Sequence, residues 1–208
     1  MTALFEMRIQ VGGDPRGFSE FIALREELAK LSHPACPDVD WAKVEQGCLA
    51  LFQQNGAELH SACFYTLARG QRHGVEGITQ GVALIEALGG EWVRLWPPMA
   101  SARVDLLGWL FEQLQLVLRS RAMTAHGVPA LVQLDLELAR LQVRLRAHLD
   151  HPLQPLHALR YQVGGLIQRL EQSPAPDGTM LAPLRLPAPA LVSPVVILPP
   201  PAVVWSAC

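Results

Sequence analysis

The sequence has few charged residues and few cysteines, and each shortage argues against a class of protein. Only 17% of the 208 residues are charged, the net charge is −2, and 50% are hydrophobic. Because a polyanion partner needs a basic field, this composition argues against binding to nucleic acid. The four cysteines include no C-x-x-C pair and are too sparse for a secreted disulfide framework, so a reducing cytoplasm fits best.

The chain also lacks an apolar run that would span a membrane or direct secretion. Glu6 and Arg8 interrupt the N-terminal apolar residues, so the N-terminus is not a signal peptide. Six prolines after Leu186 exclude a regular membrane helix in that part of the sequence. What the sequence does have is a long body with helical periodicity.

The two ends of the chain differ from this body. Residues 4–11, LFEMRIQV, alternate as in a strand, and Gly-Gly-Asp-Pro follows at once. After residue 173 the sequence becomes dense in proline and alanine, with only Asp177 and Arg185 charged. We therefore predict an extended arm over 1–14, a helical domain over 15–172, and a Pro/Ala-rich linker or tail over 173–208.

Both ends carry apolar residues without an obvious partner. We expect that residues 5–11 or the PVVIL segment at 194–198 pack on the helical body or on a second copy of the chain. A disordered tail is the alternative, and a homodimer is left open.

Helical periodicity predicts an all-α domain of about six to eight helices over 15–172. The predicted helices cover 18–31, a segment that Asp38 opens and Asn55-Gly56 closes, 57–71, 75–88, and a long helix that Ser101 or a neighbour caps and that ends near Met123. The residues predicted to be buried are Trp41, Leu49, Phe52, Leu67, Leu84, Trp96, Leu107 and Leu110.

The last two helices have the clearest pattern. Their leucine-rich repeats step by three and four residues, at Leu131, Leu134, Leu138, Leu141 and Leu145, and at Leu156, Leu159, Val163, Leu166 and Leu170. The short HPLQP connection between them favours an antiparallel helical hairpin with a coiled-coil-like seam. The alternative is that the leucines face the domain core, and both interpretations give helices.

Two groups of residues suggest chemistry at first sight. His148 and His151, with Asp150 between them and His157 nearby, could bind zinc, although a histidine at a helix end also stabilises the helix dipole. His60 and Cys63 share a helix face, but no orienting group or oxyanion site accompanies them. A buried structural thiol explains Cys63 better, so we predict no enzyme, no metal and no cofactor.

The segment 73–111 is typical of a packing and docking module. Gly74, Gly77 and Gly81 do not match a dinucleotide loop, because the preceding residues are helical, and they suit close helix packing instead. The candidate packing and docking residues are Gly77, Gly81, Trp92, Trp96 and Trp109. A solvated helix face explains the charged residues of the long helix, which are Arg103, Asp105, Glu112, Arg119 and Arg121.

Taken in order, the motifs resemble the N-terminal ImpA-type domain of TssA-like proteins of bacterial type VI secretion systems, and most closely the VasL/TagA-like branch. The matching pieces are GGDPR at 12–16, LREELAKLSHPACPDVDW at 24–41, VEQGCLALFQQNGAELHSACFYTLAR at 44–69, HGVEGITQGVALIEAL at 73–88, LWPP at 95–98, ARVDLLGWL at 102–110 and, more weakly, LQPLHALRYQVGGLIQRLE at 153–171. The chain departs from the broader pattern at 57–62, where AELHSA replaces a Lys-Asp-Leu run of many relatives.

The resemblance implies a non-catalytic accessory or scaffold that docks on tail sheath, tube, baseplate or TssA-like subunits. The VasL/TagA-like branch implies a role in stopping and anchoring the distal end of the tail. It also implies a cytoplasmic protein, held at the inner face of the inner membrane by a segment beyond residue 208. A small metal-dependent or Cys/His hydrolase and a generic helical adaptor are the alternatives.

Overall fold

Helices make up nearly all regular structure in the computed structural model, which describes residues 10–35 and 37–172. These residues contain six α-helices and no strand longer than an isolated bridge: α1 Ser19–Ala29, α2 Trp41–Asn55, α3 Leu59–Leu88, α4 Ala100–Arg119, α5 Val128–Arg146 and α6 Gln154–Gln172. Three 3₁₀ turns add Lys30–Ser32, Gly89–Arg94 and Ala125–Gly127. The predicted all-α fold of six to eight helices is confirmed. The tail over 173–208 and residues 1–9 lie outside the described residues.

The helix ends show where the sequence signals were right and where they were not. α2 ends at Gly56, which has a φ of 85° and confirms the predicted Asn55-Gly56 stop. Asp38 does not open this helix; Asp40 does, accepting a hydrogen bond from the Lys43 amide at 3.0 Å. The Asp40 amide also donates to Glu27 on α1 at 2.8 Å, so a contact between helices fixes the start of α2.

α4 also differs from its prediction at both ends. It begins after Met99 without a side-chain cap, so the expected cap by Ser101 or a neighbour was wrong. It ends at Arg119 rather than near Met123. The Ser120 amide makes the last helical hydrogen bond, to the Leu116 carbonyl, and the chain turns after it.

α3 reverses direction in its middle. Gly74 has a φ of 64° and a ψ of −140°, which no helix allows, and it divides α3 into arms over 59–73 and 75–88. Positive φ at this position suits glycine, since a Cβ would be strained there. The two arms fold back on each other, and the Arg69 side chain on the first bonds to Gln80 on the second. The sequence correctly predicted two helical segments with a break near residue 74.

Gly77 and Gly81 lie on the face of the second arm that meets the first. A Cβ on Gly77 would overlap the backbone carbonyl of Arg69, and a Cβ on Gly81 would overlap the side chain of Thr66. The arms can therefore approach this closely only because both positions lack a side chain.

The core forms around α3, which contacts α2, α4 and α5. Of the eight residues predicted to be buried, Phe52, Leu67, Leu84, Leu107 and Leu110 are buried. Trp41, Leu49 and Trp96 are only partly buried, so the prediction overstated their burial. Trp41 is the first residue of α2, where its side chain packs against the core but is only partly covered.

α5 and α6 lie side by side and are joined by residues 147–153. Arg160 on α6 bonds to Asp135 at 3.0 Å and to Gln142 at 2.7 Å on α5. All five repeat leucines of α5 are buried, and α5 also contacts α3, so these leucines face the domain core as well as α6. None of the helices in the described part of the chain is long and apolar enough to cross a membrane.

The described end of the N-terminal arm is attached to the helical body. Val11 forms a parallel bridge with Ala57, with hydrogen bonds from the Ala57 amide to Gln10 at 2.8 Å and from the Gly12 amide to Ala57 at 2.7 Å. A Cβ on Gly12 would lie 2.6 Å from the Gly56 carbonyl oxygen, which explains a glycine here. The remainder of the predicted strand, residues 4–9, lies outside the described residues.

Candidate docking site

The three candidate tryptophans occupy two different environments. Trp92 is only 4% exposed and lies between the Arg103 guanidinium, 4.9 Å from its ring centroid, and the His148 ring, stacked at 5.7 Å. Its indole is therefore used for internal packing. No free face remains on it for a partner.

Trp96 and Trp109 border a second environment, the aromatic cluster, which comprises Phe21, His60, Phe64, Trp96 and Trp109. Trp96 stacks on His60 at 5.7 Å and meets Phe21 edge to face at 6.0 Å, while Trp109 meets Phe64 edge to face at 6.0 Å. Both tryptophans are partly buried, so each keeps an exposed edge. The fold thus brings two of the candidate residues together and separates the third from them.

Arg103 is the residue that the sequence analysis misjudged most. It is only 4% exposed, and its Nη1 donates to the carbonyls of Leu95, Pro97 and Pro98 at 3.1, 2.8 and 3.0 Å. Burial lowers its pKa. The prediction that Arg103 lies on a solvated face was wrong, because the proline-rich loop turns its carbonyls inward and needs a donor that prolines cannot supply.

His60 and Cys63 do not form a reactive pair. Cys63 is fully buried, and burial raises the pKa of its thiol well above the usual value. Burial also lowers the pKa of His60 to about 4, and the ring packs against Phe64 and Trp96 within the aromatic cluster. A neutral thiol without an ionised neighbour is a poor nucleophile.

Two of the three histidines near residue 150 have structural partners, whereas His151 is exposed. His148 stacks on Trp92, and the His157 Nε2 lies 2.8 Å from the Gln142 amide nitrogen. Within the described residues, no group of three or more His, Cys, Asp or Glu side chains could hold a metal ion.

Glu58 is a buried carboxyl group that the sequence analysis did not single out. It precedes α3 and accepts hydrogen bonds from the amides of His60 at 2.5 Å and Ser61 at 2.7 Å. Burial nevertheless raises its pKa to about 7, and Asp14 adds to the shift. No sequence signal identified it, because glutamate is not a favoured N-cap residue and the predicted helix began at residue 57.

α5 carries a second apolar stripe on its outer side. Val132, Leu136 and Val143 are 41%, 49% and 68% exposed. Each of them comes one or two residues after a buried leucine of the same helix. The sequence analysis assigned the apolar pattern of this segment to the leucines alone and therefore overlooked the stripe. Beside them lies a groove of about 630 Å³, which we call the α5 groove; Leu136, Ala139 and Val143 form one wall and Gly89 and Gly90 the other.

An ion pair marks one edge of the α5 groove. Arg144 on α5 contacts Glu86 on α3 at 2.6 Å. Gly89 and Gly90 leave the facing wall without side chains, so the groove is an open apolar surface. The charged groups at its edge, Arg144 and Glu86, are paired with each other. Such surfaces are typical of protein contact sites rather than of reaction centres.

Comparison with known proteins agrees with this geometry. The family described as ImpA, N-terminal, type VI secretion system matches residues 6–112. The chain belongs to this family. The matched residues end within α4 and include the arm, the α3 reversal, the loop held by Arg103 and the whole aromatic cluster.

A solved structure supports the same fold over a longer part of the chain. It is the N-terminal domain, including the conserved ImpA_N region, of the TssA component of the type VI secretion system from Burkholderia cenocepacia. The likeness has a TM-score of 0.60 at 18% identity and covers 78% of this chain and 89% of that one. At this identity the match establishes the fold alone. A comparison with curated protein sequences gave no match.

Proposed function

We propose that this ImpA-type domain is a non-catalytic scaffold that docks on other proteins of a type VI secretion apparatus: tail sheath, tube, baseplate or TssA-like subunits. The observation that carries the proposal is the family match over residues 6–112. The buried Cys63 and the packed His60 argue against the alternative of a Cys/His hydrolase.

The candidate docking residues divide into two roles under this proposal. The exposed edges of Trp96 and Trp109 suit contact with a partner, because tryptophan supplies large apolar area and one donor. Gly77, Gly81 and Trp92 are buried and act indirectly, by holding α3 and the loop at 89–98 in place. The α5 groove is a further apolar surface for an apparatus subunit.

Binding of purified apparatus subunits to the immobilised chain tests the proposal. Val143→Asp places a charge in the α5 groove, and Ile22→Asp, at a 52% exposed position on α1, is the matched control. We expect one subunit to bind and Val143→Asp or Trp109→Ala to weaken it about tenfold, which corresponds to about 1.4 kcal/mol. Failure of every sheath, tube, baseplate and TssA-like subunit to bind would contradict the proposal.

Resemblance to the VasL/TagA-like branch supports a more specific role, in stopping and anchoring the distal end of the tail. Under this role the protein is cytoplasmic, at the inner face of the inner membrane, with an anchor beyond residue 208. Deleting the gene in the source bacterium and imaging fluorescent sheaths tests it. Sheaths that no longer stop at the opposite envelope are expected, whereas sheaths of normal length and position would leave a general adaptor as the better description.

A further inference from the structure

A second groove, which we call the basic groove, lies where α4 and α6 end. The two helices run in the same direction here: the Gln162 amide donates to the Gln115 carbonyl at 3.2 Å, and residues from both helix ends line a groove of about 490 Å³. Its polar side chains include Arg119, Arg121 and Arg169, and its apolar ones include Met123, Leu166 and Leu170.

No carboxylate among the described residues pairs with these three arginines. Arg119 contacts the Gln115 side chain at 3.4 Å, and Arg169 donates to the Gly165 carbonyl at 3.2 Å. Arg121 donates to the carbonyls of Gly70 and Gln71 at the end of the first arm of α3. Within the described residues, none of the three therefore has a carboxylate at ion-pair distance.

Of the four other arginines on α5 and α6, three are paired with a carboxylate. Arg140, Arg144 and Arg160 contact one at 2.8, 2.6 and 3.0 Å, whereas the exposed Arg146 does not. Each of the three arginines of the basic groove lies at the C-terminal end of a different helix or helix arm, where the helix dipole favours a cation, and the fold brings all three to one groove with an apolar floor. The charge of the basic groove is thus complementary to an acidic ligand.

The floor of the groove indicates what kind of acidic ligand fits. Met123, Leu166 and Leu170 are partly buried and pack on the core, so their outer surfaces remain available to an apolar side chain. A phosphate or polyphosphate would use the arginines alone and would leave this apolar floor uncovered.

We infer that the basic groove binds an acidic segment of a partner protein, in which carboxylates flank a leucine-sized apolar side chain. The arginines pair with the carboxylates, bidentately where the geometry allows, and the apolar side chain covers the floor. This inference deepens the proposed function, on which it rests, by naming the chemistry of one partner.

The test uses the full chain and a short fluorescein-labelled peptide built of alternating Glu-Glu and Leu-Leu pairs. Fluorescence anisotropy is measured for the unmodified protein, for Arg119→Glu and for Arg169→Glu. Arg25→Glu and Arg146→Glu are matched controls, because both arginines are exposed and neither has a carboxylate partner or lines the groove. Arg121 is left unchanged because it also holds the end of an α3 arm.

We expect each groove variant to weaken binding about tenfold and each control to change it less than about twofold. Binding should also weaken with added salt, as for exposed charge pairs. A peptide with Leu replaced by Ser should bind at least about tenfold less tightly, because burial of a leucine contributes about 1.5–3 kcal/mol.

Four results would overturn the inference. Equal losses in groove variants and controls would indicate non-specific attraction, and equal binding of the Ser peptide, or equally effective competition by tripolyphosphate, would indicate an anion site only. The absence of saturable binding would leave no site at all. None of these results affects the subunit-binding experiment with Val143→Asp, so the two proposals can fail separately.

Discussion

The two parts of the domain are held together by different kinds of contact. In the motif half, residues 10–112, the contacts depend on single residues. The backbone of Gly77 lies directly against the Arg69 carbonyl, and the Arg103 side chain alone donates to three carbonyls. In the leucine half, residues 128–172, apolar side chains at regular helical spacing fill the interface. The first kind of contact depends on the identity of single residues, and the second depends mainly on total volume and pattern.

The family match covers the motif half and ends within α4, before the leucine half begins. Because contacts of the first kind depend on single residues, we expect substitutions to cost more stability in the motif half than in the leucine half. The predictions below test whether the two halves respond as differently as their contacts suggest.

The largest effect is expected for Gly77→Leu in the motif half. Its side chain would overlap the Arg69 carbonyl, which is backbone and cannot move aside without separating the α3 arms. We expect loss of the folded state or at least about 3 kcal/mol of stability, the upper range for overpacking. Urea unfolding followed by circular dichroism measures this, and an unchanged or raised midpoint would show that the arms are not closely packed.

A smaller but still large loss is expected for Arg103→Met. The substitution keeps the apolar length of the side chain but leaves the carbonyls of Leu95, Pro97 and Pro98 without their donor. Since an unsatisfied buried group costs about 1–3 kcal/mol, we expect a loss of about 3 kcal/mol. Arg94→Met, at an exposed position with one exposed ion pair, is the control and should change stability by less than about 0.5 kcal/mol. Similar losses in both would contradict the role given to Arg103.

The pH dependence of stability tests the buried carboxyl of the motif half. Burial raises the pKa of Glu58 from 4.5 to about 7, so the folded protein keeps the proton while the unfolded chain loses it. The contribution to stability is complete below pH 4.5, declines as pH rises, and is lost above about pH 7. Relative to Glu58→Gln, the free energy of unfolding of the unmodified protein should fall by about 2–3 kcal/mol over this interval.

Glu58→Gln is a suitable reference because it keeps the shape of the side chain and does not titrate, although its single oxygen can accept from only one of the two α3 amides. Glu76→Gln on the exposed face of α3 is the control and should leave the pH slope unchanged. Parallel curves for the unmodified protein and Glu58→Gln would mean that Glu58 is ionised at neutral pH in the folded state.

The smallest effect is expected in the leucine half, and with the opposite sign. Gly164 lies within α6, and a Cβ there would meet nothing within 4 Å. Gly164→Ala should therefore stabilise the protein by about 0.5–1 kcal/mol, because alanine favours helix over glycine. Thermal unfolding measures it. A loss of stability would show that α6 is packed as closely as α3, and the contrast between the halves would disappear.

The sequence predicted features that depend on local signals better than features that depend on distant contacts. Helical period and helix-ending residues are local, so the repeat leucines of α5 and the Asn55-Gly56 stop could be identified without knowing the fold. Asp40 was missed because its role depends on Glu27 in another helix. Arg103 was missed because the carbonyls that it binds converge only once the loop has folded.

The sequence predicted which residue types form the candidate docking site but not how these residues are arranged. Tryptophans and glycines in 73–111 indicated packing, but no local signal shows which indole is enclosed. Trp92 is enclosed because Arg103 and His148 cover it, and the second of these comes from beyond the end of α5. The exposed stripe of α5 was recognisable in principle, as apolar residues at helical spacing outside the leucine seam.

The reversal of α3 at Gly74 also bears on how fast the domain folds. Contacts between Thr66 and Gly81 close only a short loop, so the entropy lost in forming them is small. Local contacts of this kind are typical of chains that fold within micro- to milliseconds. The paired arms also offer a preformed surface to α2, α4 and α5, which all pack on α3. Substitutions at the arm interface should consequently slow folding more than they accelerate unfolding.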